Sequence, residues 1–275
     1  MAVLMGGLKS ISRFAETVVP FMALAYTIVS IIVLILNIGN LPGAFGMVFK
    51  GAFTPTAASG GFLGSTVMLA VRWGLARGVY SNEAGTGMAP LAHSSSNANH
   101  PAKQGLWGIT EVFVDTIVVC TMTAMVVLVS GMWDSGASGA ALTSLAFGTA
   151  LGNQAVGTIF VSVIIAFFGF TTALVNIYYG EICLSALKLD KLAIPYRILG
   201  CIFAIIGSVG ALSVLWNLFD FFFGVCAVCN LFLCIAMRKQ VWAIICDYKA
   251  RLKSGKWAKN NEEAIAQIPE LASKD

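Results

Sequence analysis

Long apolar runs separated by short polar stretches dominate this 275-residue chain. One covers 17–38, and no charged residue stands between Glu16 and Lys50. Others cover 104–131, 155–187, 194–210 and 213–237. Each is long enough to cross a hydrocarbon core of about 30 Å as a helix. The runs are continuous rather than alternating, which argues against barrel strands. A further stretch, 62–93, has the length of a crossing but is interrupted by Arg72, Arg77 and a polar, glycine-rich segment. Pro42 and Pro55 mark the segment after the first run as a loop. The connection 132–154 is semi-polar and predicts short helices. The stretch from 261 to 271 predicts a short surface helix.

Composition strengthens this reading. Only 11% of residues are charged and 58% are hydrophobic, whereas a soluble domain carries about 25% charged residues. The pattern predicts an all-α polytopic membrane protein. The net charge of +4 resides in short connections and the C-terminal tail, which suits contact with the lipid bilayer at the inner leaflet and not nucleic-acid binding.

The positive-inside rule orients the crossings. Lys9 and Arg13 place the N-terminus in the cytoplasm. Lys50 alone marks the next loop, outside. Lys103 is inside, 132–154 lacks Lys and Arg and is outside, and Lys188, Lys191 and Arg197 are inside. The turn at 211–213 is outside, and the basic tail after Arg238 is inside. The alternation closes only if 62–93 crosses once. The expectation is six crossings with both termini cytoplasmic, a transmembrane domain over 1–239 and a basic cytoplasmic tail over 240–275.

The interrupted stretch is Gly78-Val-Tyr-Ser-Asn-Glu-Ala-Gly-Thr-Gly-Met-Ala-Pro90. Lipid cannot solvate free backbone groups, so irregular backbone at this depth must be buried in protein or line a watery cavity. Gly78, Gly85 and Gly87 loosen the helix, while Ser81, Asn82 and Thr86 offer polar side chains. A helix broken here would present an N-terminus to a carboxylate and carbonyls to a cation. Close helix packing on small residues is the alternative. Glu83 is either a ligand contact or a partner for Arg72 or Arg77.

A second constellation lies in 167–181. Thr172 and Asn176 share a helical face, and Thr171 adjoins them. Their oxygens suit a small cation, although membrane threonines also bond back to their own helix. Glu111 and Asp115 share a face and fit interfacial carboxylates, a gate pair or a proton relay. His93 and His100 read as solvated and non-ligating. Cys226 and Cys229 form a CxxC without a second ligand pair, so metal binding is not expected there. The other five cysteines form no disulfide pattern. No arrangement of a catalytic nucleophile and base is present, and an enzyme is not expected.

The run 77–93, RGVYSNEAGTGMAPLAH, closely resembles the signature of the alanine or glycine:cation symporter family (sodium:alanine symporters). The runs 105–121 and 170–181, the AASGGF stretch at 57–62 and the span 19–37 fit as well. The resemblance implies a bacterial inner-membrane, multi-pass transporter. It would carry a small neutral amino acid, alanine or glycine, with sodium as the coupling ion and no other cofactor. The implied fold is the leucine-transporter type, with two inverted five-helix repeats, broken helices and alternating access. The first span here matches the last helix of repeat one, and the following five match the whole of repeat two.

By motif position, the resemblance implies substrate contacts from Tyr80, Ser81, Asn82, Glu83, Ala84, Gly85, Thr172 and Asn176. It implies a sodium site at Thr171 and Thr172. Many relatives have tryptophan at the position of Asn176, which bears on pocket size. The part of the family before the last helix of repeat one has no counterpart here. The expectation is therefore an incomplete, inactive transporter, or else a non-transporting subunit whose partner chain carries the missing helices.

Overall fold

The computed structural model describes residues 7–53, 61–209, 212–268 and 271. All regular structure among them is helical. In chain order these are α1 (Gly7–Leu36), α2 (Leu41–Phe53), α3 (Gly61–Asn82), α4 (Ala89–His93), α5 (Pro101–Val112), α6 (Cys120–Val129) and α7 (Gly139–Ala150). They are followed by α8 (Gln154–Ala186), α9 (Ala193–Val209), α10 (Leu212–Ala236), α11 (Arg238–Ser254) and α12 (Asn261–Ala266). A π-helical stretch, Phe113–Val119, joins α5 to α6 without a break.

Among the described residues, five segments are long and apolar enough to cross a membrane: Thr17–Leu36, Pro101–Val129, Gln154–Ala186, Asp190–Ser208 and Trp216–Ala236. They coincide with the five uninterrupted runs of the sequence to within a few residues. The interrupted stretch is not among them: it is helical in two pieces, α3 and α4, and α3, though 22 residues long, carries Arg72 and Arg77. The segment expected to be a loop after the first span is instead largely helix α2. Pro42 does not prevent this, because it stands in the first turn, where no helical N–H is needed. The 132–154 connection does contain the short helix α7. Pro55, most of the AASGGF stretch and Ala211 lie outside the described residues; the other two residues of the turn expected at 211–213 begin helix α10.

The chain divides into two compact units, Met1–Ala70 with Val118–Gly210, and Val71–Ile117 with Ala211–Asp275. In the first unit, Tyr26 of α1 is the centre of the core. Its ring lies 5.8 Å from that of Phe147 on α7 and 6.4 and 6.3 Å from Phe160 and Phe168 on α8. Its hydroxyl is hydrogen-bonded to that of Thr123 on α6, as a buried tyrosine requires. Val33, Val126, Ala146 and Phe147 are fully buried around it.

Helices α7 and α8 meet backbone to backbone. A Cβ placed on Gly157 would stand 2.2 Å from the Gly148 nitrogen, so only glycine fits there. The end of α1 is tied by Asn37, whose amide donates to the carbonyls of Val33 and Ala150. Arg197, read from sequence as an orientation charge, also makes a two-bond ion pair with Glu181 between α8 and α9. Many large apolar side chains remain exposed, Ile159, Ile205 and Phe232 among them. A helix apolar on its outer face suits lipid as solvent.

Candidate functional site

The second unit contains the break. Helix α3 ends at Asn82, and residues 83–88 are non-helical. Glu83 takes φ 54° and Gly87 φ 80°. The left-handed conformation costs a non-glycine residue about 1–2 kcal/mol, so the surroundings must hold Glu83 in place. Sequence reasoning assigned the loosening to glycines. In fact Gly78 lies inside α3 and the first left-handed residue is Glu83. Gly85 matters for space, since a Cβ there would stand 2.7 Å from a Val79 methyl.

Polar bonds account for how the break is held. The Glu83 carbonyl accepts from the Thr86 hydroxyl at 2.8 Å and from the Met88 and Ala89 N–H groups at 3.2 and 3.4 Å. The Ala84 carbonyl accepts from Gly87 N–H. Asn230 on α10 donates its amide to the carbonyls of Ala84 and Gly85 at 3.1 and 3.0 Å. Every carbonyl from 83 to 85 is thus engaged, those of Glu83 and Ala84 by more than one donor.

Ser81 and Asn82 are tied from the other side. The Ser81 hydroxyl donates to Asp115 at 2.6 Å. The Asn82 amide donates to the Gly78 carbonyl and to the Thr116 hydroxyl, while its oxygen accepts from Ala84 N–H. Asp115 and Thr116 lie on the π-helical stretch, a feature that often marks functional sites.

Above the break, Arg77 is paired with Asp220 of α10 at 2.9 Å. Its guanidinium lies 4.9 Å from the ring centre of Trp73 and 4.7 Å from that of Trp216, within cation–π range. Tyr80 packs on Phe223 and Trp216. The partner considered for Arg77 from sequence was Glu83; the structure gives Asp220. Neither Asp220 nor Asn230 was singled out from sequence. The available signal was that Asp220 is the sole acidic residue between Asp190 and Asp247, inside a spanning helix.

A cavity of about 580 Å³ leads from Asn82 and Ala84 past Ala89 to His93, Gln104 and Glu111. His93 lies 3.0 Å from Glu111 and 2.6 Å from the Gln104 amide, so it is bonded, not simply solvated. His100 departs further from expectation. It is fully buried, its Nδ1 accepts from Ala102 N–H to cap α5, and its Nε2 lies 3.0 Å from Asp247 on α11. Tyr248 and Trp257 pack on its ring. Burial raises the Asp247 pKa, but hydrogen bonds from Arg251 and His100 outweigh it and hold the carboxyl below its ordinary value.

Thr171, Thr172 and Asn176 stand on α8, in the first unit. Thr172 and Asn176 are exposed on one face of that helix. Thr171 is buried, and its hydroxyl donates back to the carbonyls of Phe167 and Phe168, both at 3.0 Å. That is the back-bonding alternative for Thr171.

Several apolar helices long enough to span a membrane define a class: multi-pass membrane proteins. Comparison with known proteins gives the family. The profile of the sodium:alanine symporter family matches residues 1–262, and the chain belongs to that family. An uncharacterized transporter of Haemophilus influenzae is 38% identical over 252 residues, covering 91% of this chain and 55% of that protein. The protein named "Probable sodium/glutamine symporter GlnT" of Bacillus subtilis is 38% identical over 256 residues, covering 92% and 52%. The sodium/alanine symporter AgcS of Methanococcus maripaludis is 38% identical over 234 residues, covering 84% and 50%. The chain spans about half the length of the curated relatives it matches. The family consists of transporters, not enzymes, and with its apolar helices the chain is a multi-pass membrane protein.

Proposed function

We propose that this chain forms part of a secondary transporter that carries a small neutral amino acid, alanine or glycine, with sodium by alternating access. The observation that carries the reading is the break at 83–88. It is a left-handed, hydrogen-bonded interruption, flanked by a cavity and held by side chains of the π-helical stretch and of α10. Relatives named as sodium/alanine and sodium/glutamine symporters support the coupling ion and the solute class.

In this reading Tyr80, Ser81, Asn82, Glu83, Ala84 and Gly85 form one wall of the substrate site, and Thr172 and Asn176 contribute to it. Thr171 and Thr172 serve the sodium ion, Thr171 by arranging the helix through its back-bonds and Thr172 by offering its hydroxyl. The fold is the second inverted repeat preceded by one helix, with six crossings, in the bacterial inner membrane. Both termini are cytoplasmic, and a basic tail follows the transmembrane domain after residue 239.

The test is uptake of labelled alanine and glycine into vesicles containing this chain, with and without the N-terminal part of a relative on a second polypeptide. Uptake that rises with an inward sodium gradient is expected in the second arm. If neither arm takes up any small neutral amino acid in a sodium-dependent way, the reading is wrong.

A further inference from the structure

Helix α11 begins two residues after the spanning segment Trp216–Ala236 ends, so its first turns lie where the bilayer meets water. A groove of about 830 Å³ runs along it, lined by Arg238, Lys239, Trp242, Cys246, Asp247 and Ile268 among others. That volume is within the roughly 300–1,000 Å³ of ordinary ligand sites.

The charge of this groove is not neutralised from within. Asp247 is the sole acid among its lining residues, and Asp247 is already held by Arg251 and His100. Arg238 and Lys239 are exposed, and among the described residues neither takes part in an ion pair. The groove therefore presents two uncompensated cations.

Its remaining chemistry is amphipathic. Trp242 stands one turn after Arg238 on the same ridge of the helix and is 65% exposed, as tryptophan often is at a membrane interface. Ala243 and Ile268 form a buried apolar floor. A soluble anion would use the cations alone. A phospholipid uses both parts, with phosphate on Arg238 and Lys239 and the glycerol and upper acyl region against Trp242.

We propose that this groove binds the headgroup of an anionic phospholipid of the leaflet into which α10 emerges. The site fastens the end of the last spanning helix and the docked tail to the membrane surface. It stands apart from the transport reading and holds whether or not the chain moves a solute.

The test uses the full chain purified in a neutral detergent, with phosphatidylglycerol or phosphatidylcholine added at equal concentration and occupancy read by native mass spectrometry. Phosphatidylglycerol is expected to exceed phosphatidylcholine by about fivefold or more, and to fall as salt is raised. Arg238→Gln with Lys239→Gln should abolish the preference. Lys256→Gln with Lys259→Gln removes the same charge outside the groove and should leave it intact.

Equal loss in both double variants would reduce the effect to general charge and overturn the site. Equal binding of the two lipids would overturn it as well. Displacement of phosphatidylglycerol by glycerol 1-phosphate as effectively as by excess lipid would identify a soluble-anion site instead. Should the groove variant not fold, the wild-type lipid preference and its loss in Trp242→Ala decide the matter.

Discussion

Asn230 occupies the space that Gly87 leaves by having no side chain. A Cβ on Gly87 would stand 2.9 Å from the Asn230 amide oxygen, while the Asn230 nitrogen holds the carbonyls of Ala84 and Gly85. One residue of α10 thereby fixes both the shape of the break and the direction of two of its carbonyls.

Two substitutions test this. Gly87→Ala meets Asn230 and must also adopt a left-handed φ, costing about 1–2 kcal/mol from conformation alone. Asn230→Ala leaves the Gly85 carbonyl without its partner, at about 1–3 kcal/mol. Thermal unfolding in detergent should show both losses. In the double variant the clash is gone, so the combined loss should be smaller than the sum. A strictly additive result would mean that the two residues do not touch.

The ion pair of Arg77 and Asp220 has a fixed polarity, because Trp73 and Trp216 place ring faces on the cation. Asp220→Asn should lower thermal stability by about 1–3 kcal/mol, the worth of a charged hydrogen bond. Exchanging the two residues should not restore it, since a carboxylate would then face the electron-rich rings. Recovery by the exchange would show that the rings contribute nothing.

The docked tail carries a pH dependence whose sign follows from Asp247. Its folded pKa is lowered, so its contribution is complete above the ordinary carboxylate value of about 3.9 and is lost as pH falls through the folded pKa beneath it. Hydrogen exchange of residues 238–268 should be faster in Asp247→Asn than in wild type at neutral pH. The difference should close only below about pH 4. A difference that vanished already near pH 6 would assign the linkage to another group.

The spans were legible because lipid demands long, continuous apolar helices, and the break because polar residues at that depth need a reason. Other features were hidden for physical reasons. Asn230 and Asp220 are single polar residues in apolar helices, and their role appears only when the facing backbone is placed. His100 stands in a polar stretch and looks solvated, but α11, nearly 150 residues later, buries it. Helix α2 was obscured by Pro42, whose position in the first turn makes it harmless. The pattern 171–176 indicated one helical face, yet it did not reveal that Thr171 spends its hydroxyl on its own helix.

Within the transport reading, neighbouring threonines of α8 should separate by assay. Thr171 is buried and back-bonded, so Thr171→Ala should act on stability, by about 1 kcal/mol for the lost bonding. Thr172 is exposed in its unit, so Thr172→Ala should leave thermal unfolding unchanged. It should raise the sodium concentration for half-maximal uptake in the vesicle assay with the N-terminal part supplied. Thr172→Ser keeps the hydroxyl and should restore the wild-type sodium dependence. If Thr172→Ala transports with unchanged sodium dependence, Thr172 is not a sodium ligand and the ion is held elsewhere.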